Sequence, residues 1–253
     1  MNSPTHSDIS LIVPTYNESR NIVLLLERIE SQLSGVDYEI IVVDDNSIDG
    51  TAQVVKDYAH LHPRVILSLR TTERGLSSAI LHGMEISRGE ILAAMDADLS
   101  HDERLLPSFI RAIQEGADLA VGSRRIAGGG ADRWPWYRRL TSNIATRLTF
   151  FWLRVSLSDP MSGYFALRRS LYESCKHRLA PQGYKILLEI YCKARPSRVV
   201  EFPFIFKDRR QDHSKLTFLV MIQFIQSLYH LRRESRESNT SRTRSKQSKE
   251  QKE

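Results

Sequence analysis

The chain has 253 residues, of which 41% are hydrophobic and 26% charged, and it contains 12 glycines and 9 prolines. These proportions are close to those of globular proteins, so they exclude collagen-like, coiled-coil and wholly disordered chains. The net charge is +6, but residues 232–253 hold +4 of it, so the folded part is not expected to bind nucleic acid. A nucleic-acid-binding role for this tail is supported by its charge alone.

The two cysteines, Cys175 and Cys192, match neither a disulfide framework nor a metal-ligand spacing. We therefore predict two buried thiols in a reducing compartment. The N-terminus lacks the basic and apolar regions of a secretion signal. No stretch reaches about 18 apolar residues, so the chain is not expected to span a bilayer by itself.

The first half of the sequence alternates short β-branched runs with amphipathic helical patterns, which is typical of parallel βαβ units. In the first helix the apolar residues recur on one face, at Ile22, Leu25, Leu26, Ile29 and Leu33. In chain order the pattern predicts a strand at Ser10–Pro14, a helix at Asn21–Leu33, a strand at Tyr38–Val43, a helix at Thr51–Leu61, a strand at Val65–Leu69, a helix at Leu76–Ser87, a strand at Ile91–Met95, a helix at Leu105–Glu115 and a strand at Leu119–Val121. The expected fold class is α/β with a mainly parallel central sheet.

The second half of the sequence has a different residue pattern. A glycine-rich loop at Gly128–Gly130 is predicted to be flexible, and the aromatic run Phe202–Phe206 is predicted to be a buried strand. Trp136–Val155 has apolar residues at helical spacing beside several arginines. This helix either faces the core with a basic outer side or lies at a membrane interface.

Thr217–Leu231 is a second amphipathic segment, with only a narrow polar stripe. It has 15 residues, so as a helix it is about 22 Å long, less than the ~30 Å thickness of membrane hydrocarbon. It can lie in a membrane, dock onto a partner or complete the core, but it cannot cross a bilayer. Residues 232–253 are basic, lack large apolar residues and are predicted to be disordered. We divide the chain into an extension (1–8), a folded domain (9–216), this helix (217–231) and the tail.

Acidic residues cluster after the first, second and fourth predicted strands. Ligands of open α/β sheets bind at the carboxyl ends of the strands, so these positions are candidates for a site. A single acid at a strand end is commonly a helix cap or turn residue. Five acids on one edge would repel one another and weaken the fold unless a cation offsets them. They are Glu18, Asp44, Asp45, Asp96 and Asp98.

Asp96 and Asp98 are the best candidates for holding that cation. In an extended segment, residues two apart point the same way, so both carboxylates can face one site. Hard oxygen ligands suit Mg²⁺ or Mn²⁺, and such ions bridge protein carboxylates to substrate phosphates. A nucleotide diphosphate donor is therefore expected. The sequences GxGxxG after the first strand and GxxxxGK[ST] anywhere are absent, which argues against a Rossmann dehydrogenase and a P-loop NTPase.

Seven short motifs carry the most specific information, namely LIVPTYNE, VVDDNSIDGT, RGLSSAILHG, MDADLSH, VGSR, DPMSGYF and HSKL. In this order and spacing, from Ile9 to Leu216, the chain resembles the dolichol-phosphate (polyprenol-phosphate) mannose synthases, inverting glycosyltransferases of family 2. The resemblance implies a GT-A type nucleotide-sugar-binding fold with peripheral interfacial helices, so that residues 9–216 would be the catalytic domain. It also implies transfer of mannose from GDP-mannose to polyprenyl phosphate, giving a β-linked product with Mg²⁺ or Mn²⁺.

The resemblance also implies roles for individual residues. The nucleotide would be held by Pro14, Tyr16, Glu18, Asp44 and Asp45. Asp96 and Asp98 would hold the metal and the diphosphate, with Ser100 nearby. Binding of donor or acceptor phosphate is implied for Arg124, Arg138, Ser142, Arg209 and Lys215. The catalytic candidates are Asp98, Arg124, Arg209 and, from the DPMSGYF motif, Asp159.

Several further residues are left with open roles or depart from the family pattern. Asp159 could orient the acceptor, act as a base or cap the turn before Pro160. Because a phosphate acceptor is already anionic, little proton abstraction is expected. His101 and His213 are expected to be structural or peripheral. Asp102 stands where proline usually follows the histidine, and Asp212 places an extra carboxylate where glycine is usual.

Two other functions are compatible with the sequence. A polyprenyl-phosphate glucosyltransferase using UDP-glucose would share most of these residues, and a non-catalytic binding or regulatory relative would share the fold. The Asp96 and Asp98 pair argues against the second, since a repulsive acidic pair serves no purpose without a cation. For the enzyme we expect a peripheral location at the cytosolic face of a membrane, through direct lipid contact or a small membrane-spanning partner.

Overall fold

A seven-stranded sheet forms the centre of the protein in the computed structural model, which describes residues 8–132, 146–153, 155–180 and 185–207. The strands are β1 (Ile9–Thr15), β2 (Tyr38–Asp44), β3 (Val65–Leu69), β4 (Ile91–Ala94), β5 (Leu119–Ser123), β6 (Gly130–Ala131), β7 (Phe165–Arg168), β8 (Val199–Pro203) and β9 (Ile205–Phe206). The helices are α1 (Ile22–Gln32), α2 (Thr51–Leu61), α3 (Leu76–Ile86), α4 (Leu106–Gln114), α5 (residues 146–153), α6 (Arg169–Cys175) and α7 (Ile186–Ala194). Short 3₁₀ helices lie at Glu103–Leu105 and Lys176–Arg178.

The strand order is β3-β2-β1-β4-β7-β5-β8, and β6 pairs with β9 in a separate two-stranded ribbon. The pairs β1 with β2, β2 with β3, and β1 with β4 are parallel. β7 is antiparallel to both β4 and β5, and β8 is parallel to β5. The carboxyl ends of β1, β2, β4 and β5 therefore lie at the same edge of the sheet. The predicted α/β class with a mainly parallel sheet is confirmed.

Helices cover both faces of the sheet, so the central strands are apolar on both sides rather than alternating. In β1, Leu11 belongs to one hydrophobic core and Ile12 to the other. The first core also contains residues of α1, α2 and α4, and the second contains residues of α3, α6 and α7. Helix α5 packs on the second core through Leu148 and Trp152.

The elements of the first half agree with the sequence prediction to within one or two residues at each end. The second half differs more, since β7, α6 and α7 were not predicted. The glycine-rich loop predicted to be flexible ends in β6, which pairs with β9. The run predicted as one buried strand, Phe202–Phe206, is divided between β8 and β9. Phe204 and Phe206 in it are buried, whereas Ile205 is exposed.

The two predicted amphipathic segments are described only in part. Within Trp136–Val155, residues 146–153 are helical, and the helix has ended by Val155. Thr217–Leu231 and the tail lie outside the described residues. No helix within the described ranges is long and apolar enough to cross a bilayer. Both cysteines are free thiols, but the prediction that both are buried is wrong for Cys192, which is partly exposed, whereas Cys175 is buried. Burial raises the pKa of the Cys175 thiol to about 11, and partial burial raises that of the Cys192 thiol to about 12.

A buried carboxylate fixes the amino-terminal edge of the sheet, opposite the acidic strand ends. Glu39 is almost fully buried in β2 and accepts hydrogen bonds from the Ser10 hydroxyl at 2.6 Å and from the guanidinium and backbone N–H of Arg88. Burial alone would raise the pKa of Glu39, but the hydrogen bonds from Ser10 and Arg88 lower it below its ordinary value. The ionised form is therefore the one that stabilises the fold.

Replacing Glu39→Gln should lower the free energy of unfolding at pH 7 by about 2 kcal/mol, the order expected for hydrogen bonds to a charged group. Because the folded-state pKa lies below the unfolded value, this contribution is present above the unfolded pKa and is lost as the pH falls through the folded one. Urea titrations at pH 7 and pH 3 should show a smaller acid loss for the variant than for the wild type. Glu115→Gln, at an exposed position, is the control and should behave as wild type.

Candidate functional site

The sheet topology brings the three predicted acidic clusters to one edge. Asp44 is the last residue of β2, Glu18 follows β1, and Asp96 and Asp98 follow β4. Thr15 of β1 is directly opposite Asp44 in the parallel register. The site is therefore built from loops that leave neighbouring strand ends, as open α/β sheets generally build their sites.

Asp44 lies inside this edge rather than on its surface. Its side chain is fully buried and accepts hydrogen bonds from the Thr15 hydroxyl at 2.9 Å and from the hydroxyl and backbone N–H of Ser47 at 2.6 and 2.9 Å. These bonds shape the turn after β2. The direct nucleotide contact expected for Asp44 stays a prediction, and both of its carboxylate oxygens already accept hydrogen bonds within the protein.

Asp45 is held by an arginine that the sequence analysis missed. Arg70, directly after β3, donates from Nε to Asp45 Oδ1 at 2.8 Å, and the Gly75 N–H donates to Oδ2 at 2.8 Å. Both charged side chains are over nine-tenths buried. Arg70 Nη1 is buried with no hydrogen-bond partner among the described residues, at 3.9 Å from Glu73 Oε2. The position of a basic residue directly after a predicted parallel strand could have identified Arg70 as a partner for the acids at that edge.

The loops after β1 and β2 are tied together. Asn17 donates its backbone N–H to the Ser47 hydroxyl and accepts from the Ile48 N–H through Oδ1, at 2.8 and 3.0 Å. Asp49, also missed, accepts from the Ser19 N–H and from both the N–H and the hydroxyl of Thr51. Burial would raise the pKa of Asp49, but these hydrogen bonds lower it to about 2. The loops that would hold a nucleotide are therefore pre-organised.

The three residues expected from the β1 motif occupy different environments. Pro14 is buried within β1, Glu18 is half-buried, and Tyr16 is 42% exposed. The Asn21 side chain donates to Glu18 Oε2 at 2.8 Å. The Arg74 guanidinium lies over the Tyr16 ring, 5.2 Å from its centre. Tyr16 is thus the member of this motif whose ring is open to a ligand.

Asp96 and Asp98 are both partly exposed at the end of β4, and they present hard oxygen donors. The Ser100 N–H donates to Asp98 Oδ1 at 3.0 Å. An ideal Cβ on Gly163 would lie 3.4 Å from both oxygens of Asp96 and 3.7 Å from its Cγ, hence on the oxygen side of the carboxylate. Glycine adds no side chain beside these oxygens, and two carboxylates at this strand end are the donor type that suits a divalent cation.

The two carboxylates would supply only part of a coordination shell. No group of three His, Cys, Asp or Glu side chains within the described ranges is arranged to hold a metal. Mg²⁺ and Mn²⁺ are commonly held by one or two carboxylates together with substrate phosphates. Ser100 is close in sequence, but its hydroxyl is buried and has no hydrogen-bond partner among the residues described.

Arg124, directly after β5, pairs with Asp159. Its Nε and Nη2 donate to the two oxygens of Asp159 at 2.7 and 2.9 Å, and its backbone N–H donates to the same carboxylate at 3.1 Å. Asp159 is fully buried. Burial would raise its pKa, but the hydrogen bonds and charge of Arg124 lower the pKa below its ordinary value. Asp159 therefore orients Arg124 and is poorly suited to accept a proton.

One loop connects this pair to the acidic pair. It begins at Asp159, which binds Arg124, and reaches Gly163, which adjoins the Asp96 carboxylate. Phe206 provides a second connection, because its ring lies 5.7 Å from the Arg124 guanidinium and 5.9 Å from the His101 ring. Arg124 and Asp96 thus belong to one site. Four predicted phosphate-binding residues lie outside the described residues, namely Arg138, Ser142, Arg209 and Lys215.

Comparison with known proteins agrees with this architecture. The model of the family described as Glycosyl transferase family 2 matches residues 10–175, and the chain belongs to that family. Crystal structures of glucosyl-3-phosphoglycerate synthase from Mycobacterium tuberculosis have the same fold. One of them, in complex with Mn²⁺, uridine diphosphate and phosphoglyceric acid, gives a TM-score of 0.68 at 17% identity, covering 89% of this chain and 78% of that one.

Within the family, the chain is similar to a narrower group of proteins. It is 41% identical to dolichol-phosphate mannosyltransferase of Pyrococcus furiosus over 86% of this chain, and it spans 62% of that protein's length. It is 40% identical to the dolichol-phosphate mannosyltransferase of Saccharomyces cerevisiae, over 87% of this chain and 85% of the yeast protein. Polyprenol monophosphomannose synthase of Mycolicibacterium smegmatis is 36% identical, over 82% and 80%. The family resemblance stated from the motifs is confirmed.

Removing Arg124 should expose the dependence of the site on its ion pair. Arg124→Ala should lower the free energy of unfolding by about 3–5 kcal/mol, because the Asp159 carboxylate stays buried without its partner. Adding Asp159→Asn should restore part of this loss, because the amide carries no charge. Urea denaturation of the wild type, both single variants and the double variant measures the coupling.

Arg104→Ala is the control, because Arg104 makes a similar pair with Asp102 at the exposed surface. Its unfolding midpoint should be close to that of the wild type. Strictly additive effects of Arg124→Ala and Asp159→Asn would contradict the role of the pair.

Proposed function

We propose that this protein transfers mannose from GDP-mannose to the phosphate of a polyprenol. The names of the relatives support a polyprenyl phosphate acceptor and a mannosyl product. The observation that carries the proposal is the loop from Asp159 to Gly163. This loop links Arg124, which Asp159 holds in place, to the acidic pair that is suited to bind a cation. Such a site suits a reaction in which one phosphate group leaves and another attacks.

The reaction needs charge compensation and alignment more than proton transfer. A phosphate oxygen of the acceptor attacks the anomeric carbon while the bond from that carbon to the diphosphate breaks, so the configuration inverts. The acceptor is already anionic, which removes the need for a strong base. Asp159, buried and paired, therefore serves as the support of Arg124, whose planar guanidinium suits phosphate oxygens.

Asp96 and Asp98 would hold Mg²⁺ or Mn²⁺. When bound, the ion neutralises the diphosphate and stabilises it as a leaving group. Crystal structures of the related fold in glucosyl-3-phosphoglycerate synthase contain Mn²⁺ or Mg²⁺, which supports this choice of cofactor. Tyr16 and the tied loops after β1 and β2 would hold the nucleotide, with Asp44 and Asp45 shaping its pocket.

The test is an assay with purified full-length protein, polyprenyl phosphate, Mg²⁺ or Mn²⁺, and either GDP-mannose or UDP-glucose. We expect a mannolipid with the β configuration by mass spectrometry and NMR, formed from GDP-mannose. Asp96→Asn and Asp98→Asn should each reduce the rate by about 100-fold or more, a size typical for loss of one charge-stabilising group.

Asp37→Asn, at an exposed acid remote from the strand ends of the site, is the control and should keep its activity. Glucolipid formed from UDP-glucose would favour the alternative donor. An absence of product with both donors would favour a non-catalytic relative.

The acceptor chain requires the site to work at a membrane surface, and α5 offers a candidate contact. Leu148 and Trp152 pack inward, whereas Phe151 is 79% exposed and Phe150 and Arg147 are also exposed. Aromatic and basic residues on one exposed helix face are typical of interfacial helices. We propose peripheral attachment at the cytosolic face through α5 and Thr217–Leu231, to lipid directly or through a small membrane-spanning partner.

Phe151→Glu should weaken co-sedimentation with anionic liposomes and reduce transfer to a long-chain polyprenyl phosphate. It should spare transfer to a short water-soluble acceptor, because the chemistry is unchanged. Leu61→Glu is the matched control, because Leu61 is 82% exposed at the end of α2 and should not matter. Equal liposome binding by both variants and the wild type would contradict a membrane contact through α5.

A further inference from the structure

His101 is buried next to Asp96 and is in contact with three aromatic rings. It is 4% exposed, and its ring is stacked on Tyr164 with centres 5.0 Å apart and planes 9° apart. The rings of Phe204 and Phe206 meet it edge-on, at 5.4 and 5.9 Å. These three contacts fix the plane of the imidazole.

The imidazole contacts Asp96 in two places. The backbone N–H of Asp96 donates to Nδ1 of His101 at 3.1 Å. Nδ1 therefore presents its lone pair, and the neutral ring carries its proton on Nε2. Nε2 lies 3.7 Å from Asp96 Oδ2. One ring thus accepts a hydrogen bond from the main chain of Asp96 and has its second nitrogen near the carboxylate of the same residue.

The turn between the two residues is built to make this contact. Leu99 has a φ of 62°, a left-handed conformation that is uncommon for leucine and costs free energy. The Ser100 N–H is held by Asp98 Oδ1. The turn brings His101 back to the residue that begins it. Such a conformation persists where surrounding contacts hold it, and here the hydrogen bonds from Ser100 to Asp98 and from Asp96 to His101 span Leu99.

We propose that His101 is a positioning residue that orients Asp96 for binding of a divalent cation. The inference rests on the proposed function, in which Asp96 holds the metal. His101 is too buried to contact a substrate, so it acts through Asp96. Partners that orient metal ligands typically change metal affinity by about 10–100-fold when they are removed. A purely structural aromatic residue would instead affect only stability.

The test measures Mn²⁺ binding to the full chain in the presence of GDP, by the EPR signal of free Mn²⁺, together with the thermal midpoint. His101→Phe keeps the aromatic packing and removes both nitrogens. We expect it to raise the Mn²⁺ dissociation constant about 10-fold or more. His101→Asn restores an acceptor near the Nδ1 position and should recover part of the affinity. His177→Phe, at an exposed histidine, should bind as wild type.

The outcomes separate the two proposals. A wild-type protein that binds no Mn²⁺ with GDP would overturn the proposed metal site, and the role of His101 with it. A wild type that binds, with His101→Phe binding equally well, would overturn the role of His101 alone. If His101→Phe does not fold, His101→Asn decides, because unchanged affinity in it contradicts the proposal and weakened affinity supports it. A kcat that recovers at saturating Mn²⁺ would be further support.

Discussion

Concentration of negative charge at one edge of the sheet is the constraint on which the site depends. The protein compensates most of this charge itself. Asp44 is satisfied by hydroxyl and backbone donors, Asp45 by Arg70 and Asp159 by Arg124, and all three carboxylates are buried. Asp96 and Asp98 differ because both stay partly exposed. The edge therefore has two classes of acid. The buried ones shape the loops, and the partly exposed pair would bind the cation of the proposed function.

Compensation by arginine also fixes the positions of the positive groups. A buried carboxylate that accepts two guanidinium N–H groups leaves its arginine a single favourable orientation. Arg124 is held in this way by Asp159, and the loop that starts at Asp159 continues to the Gly163 contact with Asp96. A displacement of this loop would therefore disturb both Arg124, which is predicted to bind phosphate, and Asp96, which is predicted to bind the metal. This coupling suits a reaction that must bring donor and acceptor phosphates to one carbon.

The sequence predicted the first half of the fold closely because hydrophobic periodicity and strand-end acids are local signals. Helix α1 shows this, since Ile22, Leu25, Leu26 and Ile29 all proved to be buried. The second half was harder to predict because β7 is inserted antiparallel between β4 and β5, which no local pattern specifies. The candidate site residues were predicted from motifs, but the pairing among them was not predicted. The partners Arg70 of Asp45 and Arg124 of Asp159 are 25 and 35 residues away, so only the folded chain brings them together.

The ribbon of β6 and β9 adjoins the described site, and the four predicted phosphate-binding residues outside the described ranges follow its strands in the sequence. Gly130–Ala131 and Ile205–Phe206 pair, so the two strands lie side by side, and the Phe206 ring lies 5.7 Å from the Arg124 guanidinium. In the sequence, Arg209 is three residues beyond Phe206. Arg138 and Ser142 follow Ala131, and Lys215 follows Arg209. The undescribed residues predicted to bind phosphate thus follow the two strands of the ribbon in the sequence, whereas the residues predicted to bind the nucleotide lie at the ends of β1 and β2 or directly after them. In the proposed function, this separation would keep the acceptor phosphate and the donor nucleotide on different elements of the fold.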